Sequence, residues 1–175
     1  TTQDECEQIV AQAKELGIEI AGVASGESWG ASPSDDDPAV RAKIVEFTQK
    51  ALQVTQWLGT DAYLFVPGSV DVFFLENSPV VPYDVCYERA SDAVSQLVPT
   101  AEDLGVTVAI ENVWNKFLLS PLETRDFIDS FASKAVGAYF DVGNVLLTGY
   151  PDQWIRILGK RIARVHVKDF KKSVG

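Results

Sequence analysis

The 175-residue chain has no methionine, a single histidine (His166) and two cysteines (Cys6 and Cys86). Each scarcity removes a class of function. One imidazole cannot supply a histidine-rich metal cluster, and neither cysteine falls in a C-x₂-C spacing, so thiolate-type zinc is excluded. Both cysteines occupy apolar positions of helix-like stretches, where a reduced thiol packs as a small hydrophobe, and no disulfide is expected. No apolar run approaches the roughly 20 residues that cross a bilayer, and the opening TTQDECEQ has neither a basic n-region nor an apolar h-region. The chain therefore reads as soluble, unexported and cytoplasmic, with no membrane partner. Basic residues are also scarce: 15 Lys and Arg stand against 25 Asp and Glu, and the formal charge of −10 repels a phosphate backbone. No nucleic-acid partner is expected. Without methionine the first residue is not read as a natural start, and part of the protein is expected to lie outside these residues.

What is present is enough for one core, since 46% of the residues are hydrophobic, and residues 1–175 read as a single domain. The pair Leu-Gly recurs at Leu16-Gly17, Leu58-Gly59, Leu104-Gly105 and Leu158-Gly159, each time closing a helix-like segment before an apolar, β-branched run. Glycine suits the position after a helix because it tolerates positive φ. Val40, Ile44, Phe47, Ala51, Val54 and Leu58 mark one apolar helix face, and Ala90, Val94, Leu97, Ala101 and Leu104 mark another, inside which Pro99 is expected to kink or interrupt the helix. The runs between helices are 18–25, 62–68, 106–112, 136–144 and 161–169, five expected strands. Helix-strand alternation implies an α/β fold with parallel strands and right-handed crossovers. The polar stretch 25–38 is a strand-to-helix loop ending in Asp37 as N-cap and Pro38 in the first turn. Such repeats build either an open doubly wound sheet or a closed (β/α)₈ barrel, and a whole barrel takes about 250 residues.

Three strand ends carry chemistry: Glu111 ends the third run, Asp141 the fourth, and His166 lies near the end of the fifth. Because strand side chains alternate, Thr107, Ala109 and Glu111 share a face, as do Gly137, Tyr139 and Asp141, and Arg164, His166 and Lys168, with Ala163, Val165 and Val167 opposite the last set. In a barrel that face is the interior, and the two carboxylates and the imidazole converge at its rim. In an open sheet the buried carboxylates would be costly without a cation, which favours the barrel. Taken singly, His166 reads equally as a core histidine, Glu111 as the partner of a buried lysine, and Asp141 as part of a turn. Their coincidence at successive strand ends points to one divalent ion. Oxygen donors with one imidazole suit Mn²⁺ first, with Co²⁺, Mg²⁺ or Zn²⁺ as alternatives.

The stretches IENVWNKF (110–117), YFDVGN (139–144) and VHVKDF (165–170), with DDPAVR (36–41) upstream, resemble the sugar phosphate isomerases and epimerases of the xylose isomerase-like TIM-barrel superfamily. Its members include ketose 3-epimerases, hydroxypyruvate isomerases and inosose dehydratases. The resemblance implies an incomplete (β/α)₈ TIM barrel covering strands three to seven and truncated at both ends. It also implies a divalent metal held by Glu111, Asp141 and His166; a fourth ligand, a glutamate after strand eight, has no counterpart here. Two positions depart from the pattern of many ketose 3-epimerases: Asn144 stands where a substrate-contacting histidine is found, and Lys172 where an arginine is found. Both remain hydrogen-bond donors.

The activity so implied is isomerisation or epimerisation of a ketose or ketose phosphate through an enediolate, with Glu111 as one acid/base and a second carboxylate on the opposite face of the sugar. Trp29 and Trp114 are expected as apolar walls for the sugar, and Asn144, Lys168 and Lys172 as polar contacts, the lysines with Lys171 for a phosphate. Trp57 and Trp154 are assigned to packing. Asn112, Asn115 and Asp169 are read as supports of the ligands or as turn and cap residues. An inosose-type dehydratase of the same fold uses much the same ligands, and a noncatalytic sugar-binding module follows if the eighth strand is naturally absent. A repair endonuclease of the same barrel is disfavoured by the lone histidine and the acidic charge. Exposed strand edges make a homo-oligomer an expected partner state.

Overall fold

The computed structural model describes residues 1–72, 74–76 and 78–171. Each helix begins where the sequence supplies an acceptor or a proline. Helix α1 (Gln3–Glu15) opens with a capping box: Thr2 accepts from the Glu5 amide at 3.3 Å and Glu5 accepts from the Thr2 amide at 2.7 Å. A single turn, α2 (Glu27–Gly30), precedes α3 (Pro38–Trp57), where the Asp37 carboxylate accepts from the Ala39 amide at 2.8 Å with Pro38 behind it. Strand β1 (Ala62–Phe65) leads to α4 (Tyr83–Leu104) and β2 (Thr107–Glu111). Helix α5 (Pro121–Ser130), capped by Ser120, leads to β3 (Val136–Asp141). The turn α6 (Val142–Val145), helix α7 (Pro151–Leu158) and a 3₁₀ turn (Gly159–Arg161) precede β4 (Ile162–His166). The glycines of all four Leu-Gly pairs adopt positive φ, between 51° and 72°, as their helix-closing position requires. Pro99 does not end its helix; α4 runs on to Leu104 because Ala93, Val94, Leu97 and Ala101 are buried on one face and hold it.

The strands form one curled parallel sheet in the order β1-β2-β3-β4, a half-barrel. Each strand thus lies beside its sequence neighbour, as right-handed crossovers give in a barrel. The register sets Glu111 beside Tyr139 and Asp141 beside His166. The outer face, with Tyr63, Phe65, Val108, Ile110, Ala138 and Phe140, packs with the helices in the main core. A smaller cluster of Leu64, Val66, Ala109 and Tyr139 lies on the other face.

Three expectations need correction. The run 18–25 forms no strand: it meets the sheet at the single bridge Val23–Tyr63, through Val23 N–H to the Ala62 carbonyl at 3.0 Å and Leu64 N–H to the Val23 carbonyl at 2.8 Å. It touches the sheet on one side only, Ile18 stays 60% exposed, and one bridge cannot build a ladder. The run 136–144 stops as a strand at Asp141, because the Asp141 side chain accepts from the Asn144 amide at 2.8 Å and starts α6. Ala163 does not stay opposite the inner face. The pairing passes from Ala138–Ile162 to Tyr139–Arg164, so Ala163 is an extra residue and packs with the Tyr139 cluster.

Candidate metal centre

At the carboxyl ends of β2, β3 and β4, one ligand atom from each of Glu111, Asp141 and His166 lies within 4.8 Å of the others. His166 Nδ1 is 3.0 Å from Glu111 Oε1 and 4.0 Å from Asp141 Oδ2. Their backbones cannot drift apart, since β2, β3 and β4 are laddered through these residues. The side chains of Asp141 and Glu111 are 4% and 10% exposed, so water screens their mutual repulsion poorly. Burial is the largest influence on Glu111 and raises its carboxyl above the usual range; the bond to His166 and its charge pull the other way, Asp141 adds to the rise, and Lys168 opposes it. The tilted ring of Tyr139, 4.5 Å from the imidazole centre to centre, fixes the plane of His166.

A surrounding shell comes from the loops that follow β2 and β3. Asn112 Oδ1 accepts from the Asp141 amide at 2.8 Å, and its Nδ2 donates to the Asp141 carbonyl at 2.9 Å. Asn144 Nδ2 donates to the Asn112 carbonyl at 2.8 Å. Asn144 is thus buried and spent on the chain, with its Oδ1 taken by Lys168 Nζ at 2.6 Å. Trp114 donates its indole N–H to the Asn144 carbonyl at 3.1 Å and carries Lys168 over its ring at 5.1 Å and Phe170 against its edge. Asn115 ties the loop to β1 by donating to the Gly68 carbonyl at 2.6 Å. Lys116 and Leu118 hold positive φ there, a strained conformation for side chains with a Cβ.

Of the residues expected to meet substrate, Trp114, Asn144 and Lys168 gather beside the cluster of Glu111, Asp141 and His166. Trp29 packs on Phe74 at 5.2 Å and lines a different cavity, about 310 Å³, between the loops after residue 25 and after β1. Lys172 lies outside the described residues, and Lys171 and Asp169 are exposed. Trp154 is core, stacked on Phe140. Lys168 also passes close over Gly143, a contact that depends on the path of α6 and has no local signal in the chain. A larger cavity, about 610 Å³, opens at the opposite ends of the strands, lined by Arg164 and Arg161, which pair with Asp61 and Asp129, and by Lys134 and Lys160.

Two shielded carboxylates and a half-exposed imidazole, converging on a point, fit a divalent ion of intermediate hardness, whose charge would offset the cost of burying both acids. Among the described residues the group comprises these three side chains.

A half-barrel α/β sheet with such a donor set at adjoining strand ends defines the class, and comparison with known proteins agrees. Residues 1–175 match the xylose isomerase-like TIM barrel family, and the chain belongs to it. Among solved structures it is similar to a D-psicose 3-epimerase determined in the presence of D-fructose, with 21% identity and a TM-score of 0.80 over 95% of this chain and 58% of that one. A D-tagatose 3-epimerase-like protein gives 21% and 0.79 over 96% and 62%, and an L-ribulose 3-epimerase gives 20% and 0.78 over 93% and 54%. The chain is 23% identical over 144 residues to MJ1311 of Methanocaldococcus jannaschii, described as uncharacterized, covering 79% of this chain and 47% of that protein. The chain thus spans about half the length of that curated relative.

Proposed function

We propose that the chain is the metal-binding part of a divalent-metal-dependent isomerase or epimerase acting on a ketose or ketose phosphate. The observation that carries the reading is the convergence of Glu111, Asp141 and His166 at neighbouring strand ends. Mn²⁺ is the first choice for this donor set, with Co²⁺, Mg²⁺ and Zn²⁺ behind it. When bound, such an ion would polarise the carbonyl and hydroxyl oxygens of a sugar and so acidify the neighbouring C–H.

The chain's own residues would do the rest. Glu111, desolvated and with its proton affinity raised by burial, takes the proton from the carbon beside the carbonyl and holds it. Returning that proton to the neighbouring carbon isomerises the sugar. Returning one to the same carbon from the opposite face epimerises it and calls for a second acid, which the family resemblance puts after an eighth strand. Trp114 supplies an apolar wall beside the ligands, while Trp29 would act only on a distal part of the substrate. Lys168 has an ammonium half-exposed beside Asp141, available to a sugar oxygen or, with Lys171 and Lys172, to a phosphate. Residues 1–175 form one domain of a longer barrel in this reading, working in the cytoplasm and pairing with copies of itself. Among the described residues no helix is long and apolar enough to cross a membrane.

Elemental analysis after Mn²⁺ loading tests the metal. Wild type should retain about one ion per chain, and His166→Ala and Asp141→Asn should lose it while keeping their circular dichroism. Full retention in both variants would discard the site. Exchange of the C–H proton beside the carbonyl, followed by NMR in D₂O over a panel of ketoses and ketose phosphates, tests the reaction in the full-length protein.

A further inference from the structure

The ammonium of Lys168 turns toward its own chain. Nζ lies 2.6 Å from Asn144 Oδ1 and 3.3 Å from Asp141 Oδ2, and 5.1 Å from the centre of the Trp114 ring. Its stem crosses Gly143 so closely that a Cβ built there would stand 2.5 Å from Lys168 Cγ and 2.9 Å from Cε. Only a residue without a side chain leaves room for that path. The partners of Asp141 are divided accordingly: Oδ1 accepts from the Asn144 amide at 2.8 Å, and Oδ2 faces Lys168 on one side and His166, 4.0 Å away, on the other.

We infer that Lys168 is a positioning residue that shares the negative charge of Asp141 and thereby makes the centre hold a divalent ion more loosely than Glu111, Asp141 and His166 alone would hold it. The inference rests on the metal reading above and adds a function to a residue outside the donor set. Two effects act in the same direction. An ammonium 3.3 Å from a carboxylate oxygen of Asp141 repels a divalent cation drawn to the same carboxylate. A carboxylate that already accepts from an ammonium also donates less electron density to a metal, leaving the ion more electron-poor and better able to polarise a sugar oxygen. Gly143 is the permissive element, since it lets the lysine reach Asp141 at all.

Calorimetric titration of Mn²⁺ into the metal-stripped chain tests this with two variants. Lys168→Met removes the charge and keeps most of the stem. Gly143→Ala keeps the lysine but drives it out of its path, and so decides the matter if the first variant fails to fold. Each should bind Mn²⁺ at least about tenfold more tightly than wild type, and Mn²⁺ should raise its Tm by more than it raises that of wild type. A lysine that merely braced the loop would give weaker binding when removed. Unchanged or weaker binding in the folded variants, with wild-type binding intact, overturns the inference and leaves the metal reading standing. A wild type that takes up no Mn²⁺ overturns both.

Discussion

Asn112 grips the backbone of Asp141 at both ends of one residue, accepting from its amide at 2.8 Å and donating to its carbonyl at 2.9 Å. A side chain at the exit of β2 thereby does the work of a further ladder step between β2 and β3, beyond the point where the strands stop pairing. This bracket extends the β2–β3 ladder in holding Glu111 and Asp141 at their spacing, so a cation shared by the two acids would feel its loss.

Asn112→Ala leaves an amide and a carbonyl of Asp141 short of partners. Each net hydrogen bond is worth about 1 kcal/mol, so a loss of about 2 kcal/mol is expected, seen by calorimetry as a fall of roughly 4–8 °C in Tm. Mn²⁺ affinity should fall about 10- to 100-fold, as for other residues that orient a metal ligand. Unaltered affinity would show that the bracket is not what spaces the carboxylates.

Asn115 is 2% exposed, donates to the Gly68 carbonyl at 2.6 Å and accepts from the Phe117 amide at 3.1 Å. Asn115→Ala should cost roughly 2–3 kcal/mol in chemical denaturation, since both partners are buried and would be left unsatisfied. It should also loosen Trp114, the residue before it in the loop, and shift its emission toward the red.

Glu111→Gln preserves the shape of the side chain and removes its capacity to take a proton. Proton exchange beside the substrate carbonyl should fall by at least about 10²-fold in the full-length protein, with Tm changed little. Exchange at the wild-type rate would remove Glu111 as the base.

Burial pushes the Tyr63 phenol, on the outer face of the sheet, up to about 12. The folded form keeps its proton where the unfolded form, titrating near 10, has lost it. The stability this represents is whole below pH 10 and is lost as pH rises from about 10 through about 12, amounting to about 3 kcal/mol in all. Tyr83 is raised too, and acts in the same direction. Urea midpoints measured across that window should decline in wild type and decline less in Tyr63→Phe; parallel declines would contradict the assignment.

Much of the architecture could be read from the chain because each relevant signal was local. Leu-Gly pairs marked helix ends, Asp37-Pro38 marked a helix start, and the alternation in 106–112 assigned Glu111 to its face. The convergence of Glu111, Asp141 and His166 was legible because each ends a run of apolar residues. Signals that depend on tertiary partners were not legible. The first run has strand composition, but pairing is decided by neighbours, and it finds one bridge. The bulge at Ala163 depends on how β4 meets β3. The sequence pattern assigned Lys168 to the inner face and to a sugar contact; its turn back onto its own chain was not legible, because it is allowed by the missing side chain at Gly143 and favoured by Asp141, Asn144 and Trp114.

Asp141 is the last residue of a strand, the cap of the turn that follows and the neighbour of Lys168, all through one carboxylate whose oxygens have separate partners. Truncation to alanine would therefore unwind a turn, strand a lysine and erase a donor of the proposed metal centre in a single step, and the three losses could not be told apart. Asparagine is the informative replacement, since its amide oxygen can still cap α6 while the charge is gone. One side chain therefore couples the end of the strand, the start of the turn and the seat of the lysine, so a change in any one of them is transmitted to the other two.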